Sequence, residues 1–125
     1  MASLVTNTGL ANITAAWHAY ASRARYLAWG VGSGQDEQDN DLADTTGIAE
    51  SRVEGATSQQ TTNTTNDTYR VTGTITAAGS RAITEVGVFD ASSSGNMCIY
   101  GDFSVINLNT GDSIAFTVDV VFDQA

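Results

Sequence analysis

From Ile114 to Asp123 large apolar side chains take every second place: Ile114, Phe116, Val118, Val120 and Phe122, with Ala115, Thr117, Asp119, Val121 and Asp123 between them. A helix repeats every 3.6 residues and cannot keep such a row on one face. An extended strand can, because successive side chains leave opposite sides of its backbone. A single strand has no stability of its own, so the rest of the chain must supply strands to pair its edges and a second layer to cover its apolar face.

The remaining sequence offers both. Tyr69, Val71, Gly73, Ile75 and Ala77 alternate with Arg70, Thr72, Thr74 and Thr76, and Leu27, Trp29 and Val31 alternate with Tyr26, Ala28 and Gly30. Met97, Ile99, Gly101 and Phe103 alternate with Cys98, Tyr100, Asp102 and Ser104. Ahead of them, Thr84, Val86 and Val88 interleave with Ile83, Glu85, Gly87 and Phe89. Both faces of that segment are partly apolar, which predicts a central strand covered on both sides. Ala91-Ser92-Ser93-Ser94-Gly95-Asn96 is too short for a crossover and suits the reversal of a hairpin. Ala78-Gly79-Ser80 and "NLNTGDS" read as further turns. About six strands with turns between them predict an all-β fold, an antiparallel, jelly-roll-like β-sandwich.

Two regions depart from this pattern. From Gly9 to Ser22 the apolar positions Leu10, Ile13, Trp17 and Tyr20 recur at three- and four-residue steps, which predicts a short amphipathic helix. The chain thus divides into an N-terminal helical segment, 1–25, and a sandwich, 26–125. The stretch 33–46 is polar and acidic, with Leu42 its only large apolar side chain, and reads as a surface loop. The stretch 47–68 is β-branched but polar. It predicts a long exposed strand or arm that takes its partner from another subunit.

With 125 residues the chain can bury about 65% of the surface it exposes when unfolded, so one domain with a true core is expected. The formal charge is −9, from 14 acidic residues against five Arg and no Lys. Such a surface repels phosphate backbones, and nucleic acid is not expected as a partner. No apolar run is long enough to span a bilayer, and the first twenty residues lack the basic and apolar regions of a signal peptide. The lone Cys98 cannot form an internal disulfide and reads as a small buried hydrophobe, which fits assembly in a reducing cytoplasm.

Chemistry finds little support. No cofactor and no resident metal are expected. Asp36, Asp39, Asp41 and Glu50 are hard oxygen ligands of the kind a calcium ion would use. Asp39, Asp41 and Glu50 even fall at the first, third and twelfth places of an EF-hand-like spacing, but Ala43 and Asp44 occupy its fifth and sixth places, where a ligand and a Gly are needed. One His and one Cys, His18 and Cys98, make neither the usual zinc set nor a supported dyad. Glu85 and Asp90 are hairpin carboxylates, ordinarily exposed or paired with Arg. "GVGSG" lacks the Lys-Ser/Thr of a phosphate loop. No catalytic residue is assigned.

"YLAWGVGSG", "AITEVGVFD", "GDFS" and "GDSIAFTVDVVF", spread over almost the whole chain from Tyr26 onward, resemble the strand motifs of small virion structural proteins of tailed bacteriophages, among them capsid cement (decoration) proteins. The resemblance implies a non-enzymatic homo-oligomer, a trimer sooner than a dimer. It implies a place on the outer surface of the head where major capsid proteins meet, with assembly in the host cytoplasm. Leu10, Trp17, His18, Tyr20, Arg23 and Arg25 are the candidate docking or oligomer surface, since aromatic residues and Arg are favoured at interface hot spots. The competing expectation for the same residues is that they close one end of the sandwich. The alternative station is the tail or a tail fibre, as a receptor-facing adhesin.

Overall fold

The computed structural model describes residues 3–123, so residues 1 and 2 of the N-terminal segment and 124 and 125 of the sandwich lie outside the description. One helix, α1 (Asn7–Ala19), precedes seven strands: β1 (Tyr26–Gly30), β2 (Val53–Glu54), β3 (Ala56–Gln60), β4 (Thr68–Thr76), β5 (Arg81–Phe89), β6 (Met97–Leu108) and β7 (Ser113–Val121). They form two antiparallel sheets, one in the order β2-β1-β5-β6 and the other β3-β4-β7. Among the described residues no helix is long and apolar enough to cross a membrane.

The alternating rows become the core. In the three-stranded sheet Tyr69 lies opposite Val120, Val71 opposite Val118, Gly73 opposite Phe116 and Ile75 opposite Ile114. In the four-stranded sheet Leu27 lies opposite Val88 and Trp29 opposite Val86. Leu27, Trp29, Tyr69, Val71, Ile75, Val86, Val88 and Phe116 make one buried cluster with Ile83, Ala24, Ala77 and Leu108, and Ile114 and Val118 pack against it half-buried. Gly73 leaves room in the facing sheet: a Cβ there would come within 2.4 Å of Leu27 Cδ1.

β5 is central, as its two apolar faces predict, but its alternation is broken. A register shift between Ile83 and Glu85 inserts extra residues on the β6 side, so Ile83 pairs with Ile106 while Glu85 pairs with Asp102. The regular alternation of β5 is interrupted at this irregularity. Ile83 consequently joins the main core, while Glu85 is bonded on the other side of the sheet to the loop that follows β1. On that outer side Phe89, Met97 and Leu42 form a second small core with Tyr26, Ala28 and Tyr100 beside it. The 91–96 reversal is held by Arg52, whose Nη1 donates to the carbonyls of Ala91 (2.8 Å) and Ser94 (2.7 Å) while its guanidinium lies 3.6 Å from the Phe89 ring centre.

The segment 47–68 is not a free arm. β2 pairs with β1, β3 pairs with β4, and Gly55 between them carries the chain from one sheet to the other. The Gly55 N–H donates to the Arg25 carbonyl at 2.6 Å. The polar composition that suggested an outside partner instead suits two short strands at the sheet margins, where half of each side chain stays wet. A Cβ at Gly55 would lie 2.7 Å from the Thr72 carbonyl oxygen, 2.9 Å from Val71 Cγ1 and 3.0 Å from Leu27 Cδ1. Gly55→Ala is therefore expected to destabilise the fold by about 2 kcal/mol, read as a lowered urea midpoint, whereas Gly47→Ala meets no neighbouring atom and costs only the strain of its positive φ.

The 61–67 turn between β3 and β4 closes on a buried carboxylate. Asp67 accepts from the N–H groups of Thr62 (2.9 Å), Asn63 (3.0 Å) and Thr64 (2.8 Å) and from the Thr68 hydroxyl (2.8 Å). Burial works to raise its pKa, but these donors outweigh burial and hold the carboxyl well below the usual range.

Candidate functional site

Two features face outward from this frame: the acidic loop over the four-stranded sheet, and α1 against the three-stranded one. The loop owes its position to Glu85, which is fully buried. Its Oε2 accepts from the N–H groups of Gly32 (3.0 Å) and Asp44 (3.0 Å), and its Oε1 from the Ala43 N–H (3.0 Å) and the Tyr100 hydroxyl (2.9 Å). Burial and the Glu85 bond push the Tyr100 phenol up to about 12. Gly30 and Gly32 make the cradle possible. A Cβ on Gly30 would lie 2.3 Å from Glu85 Oε2, and one on Gly32 would lie 2.8 Å from the Asp44 nitrogen. Glu85 is thus neither exposed nor paired with Arg, contrary to the sequence reading. Asp90, by contrast, stays at the hairpin turn and accepts from the Asn96 N–H at 2.8 Å.

The rest of the loop is braced locally. Asp36 Oδ1 accepts from the Gln38 N–H (2.9 Å), Asp39 Oδ2 from the Asp36 N–H (2.9 Å) and Asp41 Oδ1 from the Leu42 N–H (2.8 Å). Leu42 is buried and plugs the loop into the outer core. Glu50 does not join these carboxylates. It takes the Arg81 Nε at 3.0 Å, the Ala78 N–H at 2.8 Å and the Trp29 indole at 3.4 Å, and shares only the lining of a cavity with Asp41. The EF-hand-like spacing is therefore not an EF-hand arrangement, and among the described residues no group of three or more metal-ligating side chains converges.

Burial would raise the pKa of Glu50, but Ala78, Arg81 and Trp29 outweigh it and lower the carboxyl from 4.5 to about 2. Because the folded value is depressed, the stability Glu50 contributes is fully present above about 4.5 and is lost as the pH falls toward 2. Glu50→Gln is expected to melt well below the wild type at neutral pH. The gap between the two melting temperatures should close as the pH is lowered through that window, and a gap independent of pH would contradict the ion pair.

Between the loop and the first half of β6 runs an open groove of about 430 Å³, lined by Gln35, Asp36, Glu37, Asp39, Met97, Cys98, Ile99 and Tyr100. Cys98 lies exposed here and is not the buried hydrophobe expected, because it is the extra residue where the register shifts between the Val88–Ile99 and Phe89–Met97 pairs. Partial desolvation of the sulfur and the nearby Asp90 raise its thiol pKa. The one deeply buried carboxylate behind the groove, Glu85, spends its oxygens on four donors. The chemistry such a surface offers is recognition by acidic and amide groups.

The six residues proposed for docking are spread over α1 and the link to β1. Leu10 is buried, and Trp17 stacks on Tyr69 with ring centres 4.3 Å apart and meets Phe122 edge-on at 6.2 Å. His18 Nδ1 is 2.8 Å from Thr57 Oγ1, and Arg23 Nε donates to the same oxygen at 3.0 Å. Arg25 pairs with Glu54 at 2.9 Å and reaches the Tyr26 hydroxyl. Tyr20 alone stands well out, 58% exposed. Thr14, absent from the sequence reading, is fully buried and ties the helix to the 61–67 turn through the Asn66 carbonyl (2.6 Å) and to β3 through Gln59, whose amide donates to the Thr14 hydroxyl (2.8 Å). The signal that could have found it is its place one turn after Leu10 on the apolar stripe.

The model of the family described as Podophage GP4 fiber I protein gp80 matches residues 2–121. No curated protein and no solved structure matches the chain. The match agrees with a phage virion component and corrects its station: the family is one of fibers, so a place in a fiber replaces the capsid-cement expectation. Strand motifs such as "GDSIAFTVDVVF" specify a fold, and a fold does not fix the function built on it. This chain, over nearly its full length, belongs to the Podophage GP4 fiber I protein gp80 family and is a non-enzymatic structural component of a phage fiber.

Proposed function

We propose that this chain is a rigid module of the tail fiber, with the pinned acidic loop and its groove forming the surface turned toward the host cell. The observation that carries the reading is the fiber-family match over residues 2–121. A fiber module must hold its shape while presenting a recognition surface, and loops fixed on a stiff scaffold are where recognition usually lies. Here Glu85 fixes the loop from beneath, and Asp36, Glu37 and Asp39 line the groove above.

Immunogold labelling of virions with antibody to this chain is expected to mark tail fibers and leave heads bare. Labelling distributed over the head would overturn the reading and restore a shell role. Purified protein is further expected to slow phage adsorption to host cells. A variant with Asp36 and Asp39 changed to Asn and Glu37 to Gln, which removes the charge and keeps side-chain acceptors for the Gln38 and Asp36 N–H groups, should lose that effect while keeping its melting behaviour.

A further inference from the structure

We propose that two copies of this chain pair through the second half of β6, strand edge against strand edge about a twofold axis. β6 and β7 end their respective sheets, and contact between the Phe103 and Phe116 rings, 6.3 Å apart, places these two edges on one flank of the sandwich. On that flank Ser104, Val105, Ile106 and Asn107 are all exposed in succession, so neither face of the strand is covered there. Val105 is 52% and Ile106 39% exposed. An edge strand that stays solitary is usually guarded by Lys, by Pro, by a charge pointing along it or by a bulge, and the irregular part of β6 is confined to 103–105, ahead of the regular pairs of Ile106, Asn107 and Leu108 with Ile83, Ala82 and Arg81. This chain contains no Lys and no Pro, and the one ionisable group in residues 103–118 is Asp112. Its carboxylate is turned into the 109–112 turn, where it accepts from the Asn109 N–H at 2.8 Å.

Charge selects the occupant. A protein of net charge −9 repels its own copies over most of its surface, and the first half of β6 lies beside Asp36, Glu37 and Asp39. The flank of 103–118 is where two copies can approach without bringing carboxylates together. Strand addition then satisfies the outward N–H and C=O groups of β6, and two four-stranded sheets become one of eight strands. A twofold edge pairing is self-complementary and closes at two copies, so the product is a dimer in place of the trimer that the resemblance implies. The inference concerns the free chain and holds whether or not the fiber reading does.

Light scattering and sedimentation of the full chain, over a range of concentrations, are expected to give twice the 13.1 kDa chain mass. Val105→Lys with Ile106→Lys is expected to give the single-chain mass with an unchanged circular dichroism spectrum. Hydrogen exchange on the wild type needs no variant. The outward-facing amides of 103–108 should gain at least tenfold protection between dilute and concentrated samples, while those facing β5 do not change. A single-chain mass at every concentration, a trimer, or an oligomer that survives the double Lys variant would each overturn the proposal. So would dissociation by Leu4→Asp alone, because Leu4, 77% exposed ahead of α1, lies on an arm that the edge pairing does not use.

Discussion

Replacing Glu85 by Ala is expected to destabilise the folded chain by about 4 kcal/mol and to release the loop 31–46 from the sheet. The size follows from what is left behind. Three backbone N–H groups, of Gly32, Ala43 and Asp44, and the Tyr100 hydroxyl lose their acceptor together in a place water does not reach freely. The cavity adds to that cost, since Gly30 and Gly32 carry no side chain that could fill it. Two milder variants grade the effect. Glu85→Gln keeps the volume but turns one donor group toward donors, and about 2 kcal/mol is expected. Tyr100→Phe removes one of four bonds, for about 1 kcal/mol. Urea denaturation gives the three numbers, and limited proteolysis should show early cleavage between residues 33 and 46 in the Ala variant. A loss below about 1 kcal/mol for Glu85→Ala would mean that the loop is held by Leu42 and not by the carboxylate.

Trp17→Ala is expected to destabilise the protein by about 3 kcal/mol, at the low end for a Trp truncation because part of the indole stays exposed. The loss comes from the stack on Tyr69, the edge contact with Phe122 and the apolar area that both rings cover. Tyr20→Ala, three residues on, removes a ring with little to hold and should change stability by less than about 0.5 kcal/mol. The contrast separates the two readings of the helix. If Trp17→Ala leaves the denaturation midpoint where it was, α1 is a surface element available for docking. If the midpoint falls as expected, the indole closes the sandwich, and any contact the helix makes with other proteins passes through Tyr20 and its exposed neighbours.

Side-chain periodicity carried most of the architecture. The rows in β4 and β7 are unbroken, and each residue of those rows faces where its parity says. The failures are local and share a cause: they occur where the chain stops being periodic for a tertiary reason. At Ile83 and Glu85 two residues of equal parity face opposite ways where the β5–β6 register is irregular, and nothing in the composition of Phe103-Ser104-Val105 announces it. At 47–68 the polar strands looked partnerless because each is only a margin of a different sheet, and Gly55 gives no sign of being the crossing point until Thr72 and Leu27 are seen against it. The site fared less well than the fold. The acidic loop was legible as a loop, but the group that holds it lies some forty residues away. A Glu in a hairpin has no sequence mark that separates a buried anchor from a solvated charge. Glu50 was misjudged for the same reason, its true partner Arg81 being settled by tertiary structure alone.

The passage of the chain through Gly55 has a mechanical side. β2 and β3 are consecutive, yet each is bonded into a different sheet, so the backbone itself stitches the two layers together midway along the domain. A pull that tries to slide one sheet over the other must strip β2 from β1 and β3 from β4 at nearly the same extension, loading their hydrogen bonds in parallel instead of one by one. Sheets joined only by loops at their ends have no such stitch and can part from the edge inward. A fiber module built this way is expected to resist shear as one unit and to yield in one step, holding its surface loops in register until it does.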